Sequence, residues 1–108
     1  MATYIQLLTL TENGRKKALN DPESLLRAQA EISVTGIQVL GVYGVLGEYD
    51  FVNIVEGPDN EAIARFSLQL GVKAGVSIVT LPAIPLSRLE SVRTPQELEE
   101  IFPTEVHP

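Results

Sequence analysis

Leu40-Gly41-Val42-Tyr43-Gly44-Val45-Leu46-Gly47-Glu48-Tyr49-Asp50-Phe51-Val52-Asn53-Ile54-Val55 reads as a β-hairpin. β-Branched and aromatic residues flank Gly47-Glu48, and a Gly-X pair supplies the positive φ that a two-residue type II′ turn needs at its first position. The turn sets the register: Leu46 pairs with Tyr49, Val45 with Asp50, Gly44 with Phe51, Tyr43 with Val52, Val42 with Asn53 and Gly41 with Ile54. Alternation then sorts the hairpin into two faces. Leu40, Val42, Gly44, Leu46, Tyr49, Phe51, Asn53 and Val55 share one. It is apolar apart from Asn53 and Tyr49, so it is expected to lie under helices. Val39, Gly41, Tyr43, Val45, Asp50, Val52 and Ile54 share the other.

Upstream, Thr3 to Leu10 is a first strand with two phases. Ile5 and Leu7 are expected to join the helix-covered face, which sends Tyr4, Gln6 and Leu8 to the open face. Thr11 can cap a short helical turn from Glu12 to Leu19. Asp21 as N-cap with Pro22 behind it predicts the main first helix, running to about Val34 with Leu25, Ala28 and Ile32 as its apolar stripe. Downstream, Gly57-Pro58-Asp59-Asn60 is a break-and-cap signal for a helix from about Asn60 to Leu70, closed by Gly71 to Gly75. Ile63, Phe66 and Leu70 form its stripe. A second row, Ala64, Leu68 and Val72, widens the apolar face and suggests another contact surface. Val76 to Leu81 is a fourth strand. The order strand, helix, strand, strand, helix, strand is the split βαβ pattern: a four-stranded sheet, two helices on one face, the first and third strands central. Residues 83–108 form a tail of different composition, in which Thr94-Pro95-Gln96-Glu97 predicts a short helix over about 95–102. The domain is thus read as residues 1–82 and the tail as a C-terminal extension.

The chain has 108 residues, enough for one core and too few for two. It is 44% hydrophobic and 20% charged, which argues against disorder. A net charge of -6 repels phosphate backbones and anionic lipid, so neither nucleic acid nor a membrane surface is an expected partner. No run approaches the ~20 apolar residues of a membrane span, and the N-terminus lacks the basic start of a signal peptide. There is no cysteine and one histidine, His107, so no transition-metal cluster and no cofactor are expected. The expected home is the cytoplasm.

Gly47-Glu48-Tyr49-Asp50 resembles the Gly-x-Tyr-Asp motif of the GYD-domain family. The likeness extends to Thr3-Tyr4-Ile5 and Val55-Glu56-Gly57-Pro58-Asp59, over roughly Ala2 to Leu81. It implies a ferredoxin-like fold of the dimeric α+β-barrel kind, in a family without a settled activity. A similar hairpin occurs in the effector-binding domain of the leucine-responsive regulator family, which forms oligomers and can bind amino acids between subunits. This chain shows no DNA-binding helix-turn-helix ahead of the domain.

The candidate ligand-binding residues are Tyr4, Gln6, Tyr43 and Asp50, gathered on the open face. Asp50 is the most informative: a carboxylate among apolar neighbours needs partners or it neutralises. Its roles are a ligand contact or proton carrier on one side, and an acceptor for backbone N–H groups or Lys73 on the other. The second is favoured. Gly41, Gly44 and Gly47 do not make a phosphate loop, because a strand follows where a dinucleotide fingerprint needs a helix. No nucleophile stands beside a base, so no catalytic residue is assigned and the reading leans away from an enzyme. The expected function is a homo-oligomeric module that binds or senses a small metabolite. The rivals are a cofactor-free isomerase or oxygenase, or a purely structural assembly protein. Leu8, Val45, Val52 and Ile54 on the open face predict self-association, since monomers rarely expose such a patch.

Overall fold

The structure is a computed structural model, and it describes residues 1–87. The helix expected over 95–102 lies outside the described residues. Four strands, β1 (Ala2–Leu10), β2 (Gln38–Gly44), β3 (Phe51–Gly57) and β4 (Val76–Ala83), form one antiparallel sheet in the order β2-β3-β1-β4. β1 and β3 are central, as two crossover connections on one face require. The helices are α1 (Glu12–Asn20), α2 (Ser24–Glu31) and α3 (Asn60–Ala74).

The hairpin has the register its turn dictates. Gly44 pairs with Phe51, Tyr43 with Val52, Val42 with Asn53 and Gly41 with Ile54. The Val45 N–H donates to the Asp50 carbonyl at 3.0 Å, and Gly47 has φ 113. The register then shifts between Val39 and Gly41, so that Val39 pairs with Val55. This bulge at Leu40 reverses the alternation. Val39 packs on the core and Leu40 is exposed, the opposite of strict alternation.

α3 forms because both its ends are specified. Asp59 accepts from the Ala62 N–H at 2.8 Å, and Gly75 ends the helix in the left-handed region at φ 72, ψ 51. Of the two glycines near that end only Gly75 has positive φ, so the helix runs through Gly71 to Ala74, past the expected stop at Leu70. Its buried stripe is Ile63, Phe66, Leu70 and Ala74.

The first helical segment breaks in two where Asn20-Asp21-Pro22 was expected to interrupt it, but the second helix, expected to run from Pro22 to about Val34, spans only Ser24–Glu31. α1 is capped by Thr11, whose hydroxyl accepts from Gly14 N–H at 3.1 Å. Asp21 does not cap α2 directly. Its carboxylate accepts from Glu23 N–H, its carbonyl accepts from Ser24 N–H, and it pairs with Arg27, so it organises the turn before α2 begins at Ser24. α2 stops at Glu31, with Ile32 extended at φ -79, ψ 127.

The core lies between the sheet and α2 and α3. Leu8 and Val55 from the sheet meet Leu25 and Ala28 of α2 and Ile63, Phe66 and Leu70 of α3. Each large side chain fully buried there is worth ~1.5–3 kcal/mol.

Candidate functional site

β1 carries the main correction. Tyr4, Gln6 and Leu8 are buried under the helices, while Ile5 and Leu7 lie on the open face, the reverse of the expected phase. The reason is Asn53, which is fully buried on the helix side as the hairpin register requires. A buried amide needs a partner, and the residue opposite Asn53 on β1 is Gln6.

The two amides are the centre of a polar row that crosses the sheet. Asn53, Gln6 and Thr80 are neighbours on β3, β1 and β4. Gln29 of α2 stands over one end and Ser67 of α3 over the other. Gln29 Nε2 donates to Asn53 Oδ1 at 3.4 Å, and Asn53 Nδ2 donates to Gln6 Oε1 at 3.4 Å. Gln6 Nε2 donates to Ser67 Oγ at 2.7 Å and to Thr80 Oγ1 at 3.2 Å. The Ser67 hydroxyl donates in turn to the Ile63 carbonyl at 2.8 Å. Gln29 Oε1 is buried without a partner.

Beyond this row, between α3 and the edge strand β4, lies an open groove of about 710 Å³. Ser67 and Thr80 reach it from the row, and Tyr4 and Asn60 close one end, with the Tyr4 hydroxyl donating to Asn60 Oδ1. Ile63, Ala64, Leu68, Gly71, Val72, Val76, Ile78 and Pro82 complete the lining. Among the described residues none that lines the groove is charged. Leu68 is 73% exposed and Val72 81%, so the second row of α3 is indeed an uncovered apolar surface.

Asp50 is hydrogen-bonded into the sheet. Its Oδ2 accepts from Leu10 N–H at 2.8 Å, and its own N–H donates to the Leu8 carbonyl at 2.8 Å. The carboxylate therefore extends the β1–β3 ladder by one rung. Of the four residues expected to share the open face, only Tyr43 lies within its strand rows. Tyr4 and Gln6 belong to the helix side, and Asp50 stands at the loop end of β3. Ser67, Thr80, Asn60 and Gln29 were not foreseen. The signal was available: Ser67 and Gln29 are polar residues within helical stretches that also hold the buried stripes.

The open face is built of two apolar rows between polar ones. In strand order β2, β3, β1, β4, one row is Gly41, Ile54, Ile5, Leu81 and the next is Tyr43, Val52, Leu7, Val79. A Cβ on Gly41 would stand 3.1 Å from the Tyr43 ring, so the glycine leaves room for that ring to lie across the strand. Gln38, Glu56 and Thr3 border one side, and Thr9 and Ser77 the other. Among the described residues no helix is long and apolar enough to cross a membrane, and no three His, Cys, Asp or Glu side chains converge as metal ligands.

The sequence is 40% identical over 90 residues to a Thermus thermophilus protein named glutamine synthetase and cystathionine beta-lyase binding protein, covering 82% of this chain and 95% of that one. A solved structure from Thermus thermophilus is similar at 30% identity and TM-score 0.56, over 79% of this chain and 95% of that one. The fold is also that of the Mycobacterium tuberculosis feast or famine regulatory protein solved with L-methionine, at 15% identity and TM-score 0.60. That match covers 79% of this chain but 51% of the regulator, so the chain spans about half the regulator's length. The GYD domain model matches residues 4–92. With most of its length under that model and a relative at 40% identity across nearly the whole of its own length, this chain belongs to the GYD domain family.

Proposed function

We propose that this protein is a small binding module which pairs with itself through the open sheet face and takes a small molecule in the α3–β4 groove. The observation that carries the reading is the groove lining. It combines a mainly apolar wall with four polar side chains, Tyr4, Asn60, Ser67 and Thr80, held by hydrogen bonds to defined partners. Concave, mostly apolar sites with a few fixed polar groups are what small-molecule sites look like. Tyr4 touches the ligand in this reading, and Gln6 acts from behind by holding Ser67 and Thr80. Tyr43 belongs to the pairing face. Asp50 belongs to the ladder. Among the described residues the groove's polar groups are hydroxyls and an amide, groups suited to hydrogen-bonding a ligand. A cytoplasmic setting fits the cysteine-free composition.

The pairing is supported by the two apolar rows with their polar borders, the arrangement of an interface core and rim. Light scattering on the full chain tests it. Twice the 11.8 kDa chain mass is expected across the micromolar range, and Val79→Glu, at a half-exposed position of the edge strand, is expected to return it to 11.8 kDa. A wild-type chain at 11.8 kDa throughout would end the pairing proposal.

A second reading is favoured by the Thermus relative, whose name describes binding to enzymes. In that case the exposed Leu68 and Val72 receive a protein partner instead of a small molecule. Loss of enzyme capture by Leu68→Glu, with no small-molecule binding in the wild type, would decide for it.

A further inference from the structure

Resting on the groove as the binding site, we infer that its ligand is a neutral aliphatic molecule with a hydrogen-bond-accepting head, such as a ketone, ester, lactone or amide carbonyl. The placement of the protons selects such a head. Thr80 Oγ1 already accepts from Gln6 Nε2. Its own O–H has no acceptor among the described residues, so it is free to donate into the groove. Ser67 has no proton to offer, because it donates to the Ile63 carbonyl. At the closed end the Tyr4 proton goes to Asn60 Oδ1, which leaves the Asn60 Nδ2 protons as the free function there. Among the described residues, the groove's two groups with protons to spare are therefore the Thr80 hydroxyl and the Asn60 amide; the oxygens of Tyr4 and Ser67 keep acceptor lone pairs but no free proton.

Those donors are fixed and polarised from behind. Gln6 is fully buried and receives a hydrogen bond from Asn53, which receives one from Gln29. In a chain of amides donating in one direction, each bond strengthens the next donor. The Thr80 hydroxyl is the end of that chain on the groove side.

Charge narrows the head further. A carboxylate could also accept from Thr80 and Asn60, but among the described residues no cation lines the groove, and the protein carries a net charge of -6. An ammonium head would find no anion among the described residues, only neutral oxygens, and would leave the two donors unsatisfied. A neutral carbonyl satisfies the donors without leaving a charge uncompensated against Ile63, Leu68 and Ile78, and burying an uncompensated charge is the largest of these penalties.

Three probes of equal chain length separate the possibilities: 2-octanone, octanoate and octylammonium. Each is titrated into the full-length protein and followed by backbone amide NMR shifts. The expectation is saturable shifts at Ser67, Val72 and Ile78 with 2-octanone, and at least tenfold weaker binding of the two ions. Thr80→Val removes the free donor while Gln6 keeps its shorter bond to Ser67. It is expected to weaken 2-octanone binding three- to tenfold. Asn60→Asp keeps an acceptor for Tyr4 at a helix N-terminus that tolerates an acid, and is expected to weaken 2-octanone and to strengthen octylammonium. Equal affinity for the three heads, or unchanged 2-octanone binding in both variants, would overturn the donor rule while leaving the groove as a binding site. Groove amides that do not move with any probe would overturn the groove itself.

Discussion

Asp50 has a structural partner for its carboxylate. A carboxylate at the start of a central strand satisfies the N–H of Leu10, a job that a neutral side chain without an acceptor cannot do. Asp50→Ala is expected to destabilise the protein by about 1–3 kcal/mol, the cost of leaving a partly buried donor unpaired. Glu48, two residues earlier and exposed at the loop tip, should tolerate Gln within ~0.5 kcal/mol. Denaturant unfolding of both variants checks the ranking, and a larger loss from Glu48→Gln would refute it. Gly47 is a different case. Its φ of 113 lies where a β-branched residue is strained, although a Cβ there would meet open space. Gly47→Val should therefore cost about 1–3 kcal/mol through backbone strain alone, and equal melting temperatures would show that the loop adapts.

At the scale of elements, the N-terminus of α1 is seated on the C-terminus of α3. Thr11 donates to the Gly75 carbonyl from both its N–H and its hydroxyl at 2.9 Å, and Lys17 Nζ reaches the Lys73 carbonyl at 3.2 Å. Orphan carbonyls of one helix are thereby satisfied by the start of another. The approach is close enough that a Cβ on Gly14 would stand 2.0 Å from the Gly75 carbonyl oxygen. Gly14→Ala, stabilising in an ordinary helix, is expected here to lower stability by roughly 1–3 kcal/mol or more, because backbone must move. A higher melting temperature would mean that α1 can lift away freely. The α1–α2 junction depends on Asp21. The Arg27 hydrogen bond holds its carboxyl below the ordinary value of 3.8. A depressed carboxyl pKa gives stability that is present above the unfolded value and lost as pH falls through the folded one. The stability gap between wild type and Asp21→Asn should thus close as the solution is acidified below about pH 3.8, and a gap unchanged in acid would show the pair to be idle.

For the whole molecule, strand order and hairpin register were legible because short-range signals fixed them: one turn glycine, a capping threonine and a capping aspartate, one left-handed stop. The phase of β1 was not legible from β1 alone. Ile5 and Leu7 are as apolar as Tyr4 and Leu8, so hydrophobicity could not choose between the faces. The choice lay on another strand, in Asn53, whose buried amide called for an amide opposite. The bulge at Leu40 and the early end of α2 at Glu31 were hidden for a related reason, since each depends on what the segment packs against. The site shared that fate. The hydroxyls of Ser67 and Thr80 are unremarked polar residues until α3 and β4 bring them to one amide. The open face fared better: its apolar character follows from β3 and β2 whichever way β1 is turned.

The polar row also decides which of several alignments the central strands adopt. On the open face a two-residue slide of β1 along β3 would still leave one apolar pair, Ile5 with Val52 or Leu7 with Ile54, while setting the other residue against Asp50 or Glu56. Under the helices the same slide would set Gln6 against Phe51 or Val55 and strand two amides in an apolar layer. The row therefore acts as a key that admits one alignment and penalises its near neighbours, a service distinct from adding stability. Replacing Gln6 and Asn53 together by Leu removes the key and leaves the grease. The double variant is expected to keep its circular dichroism, yet show doubled or broadened amide peaks along β1 and β3 as slipped pairings mix. A single sharp set of peaks would mean that the turns alone hold the strands in step.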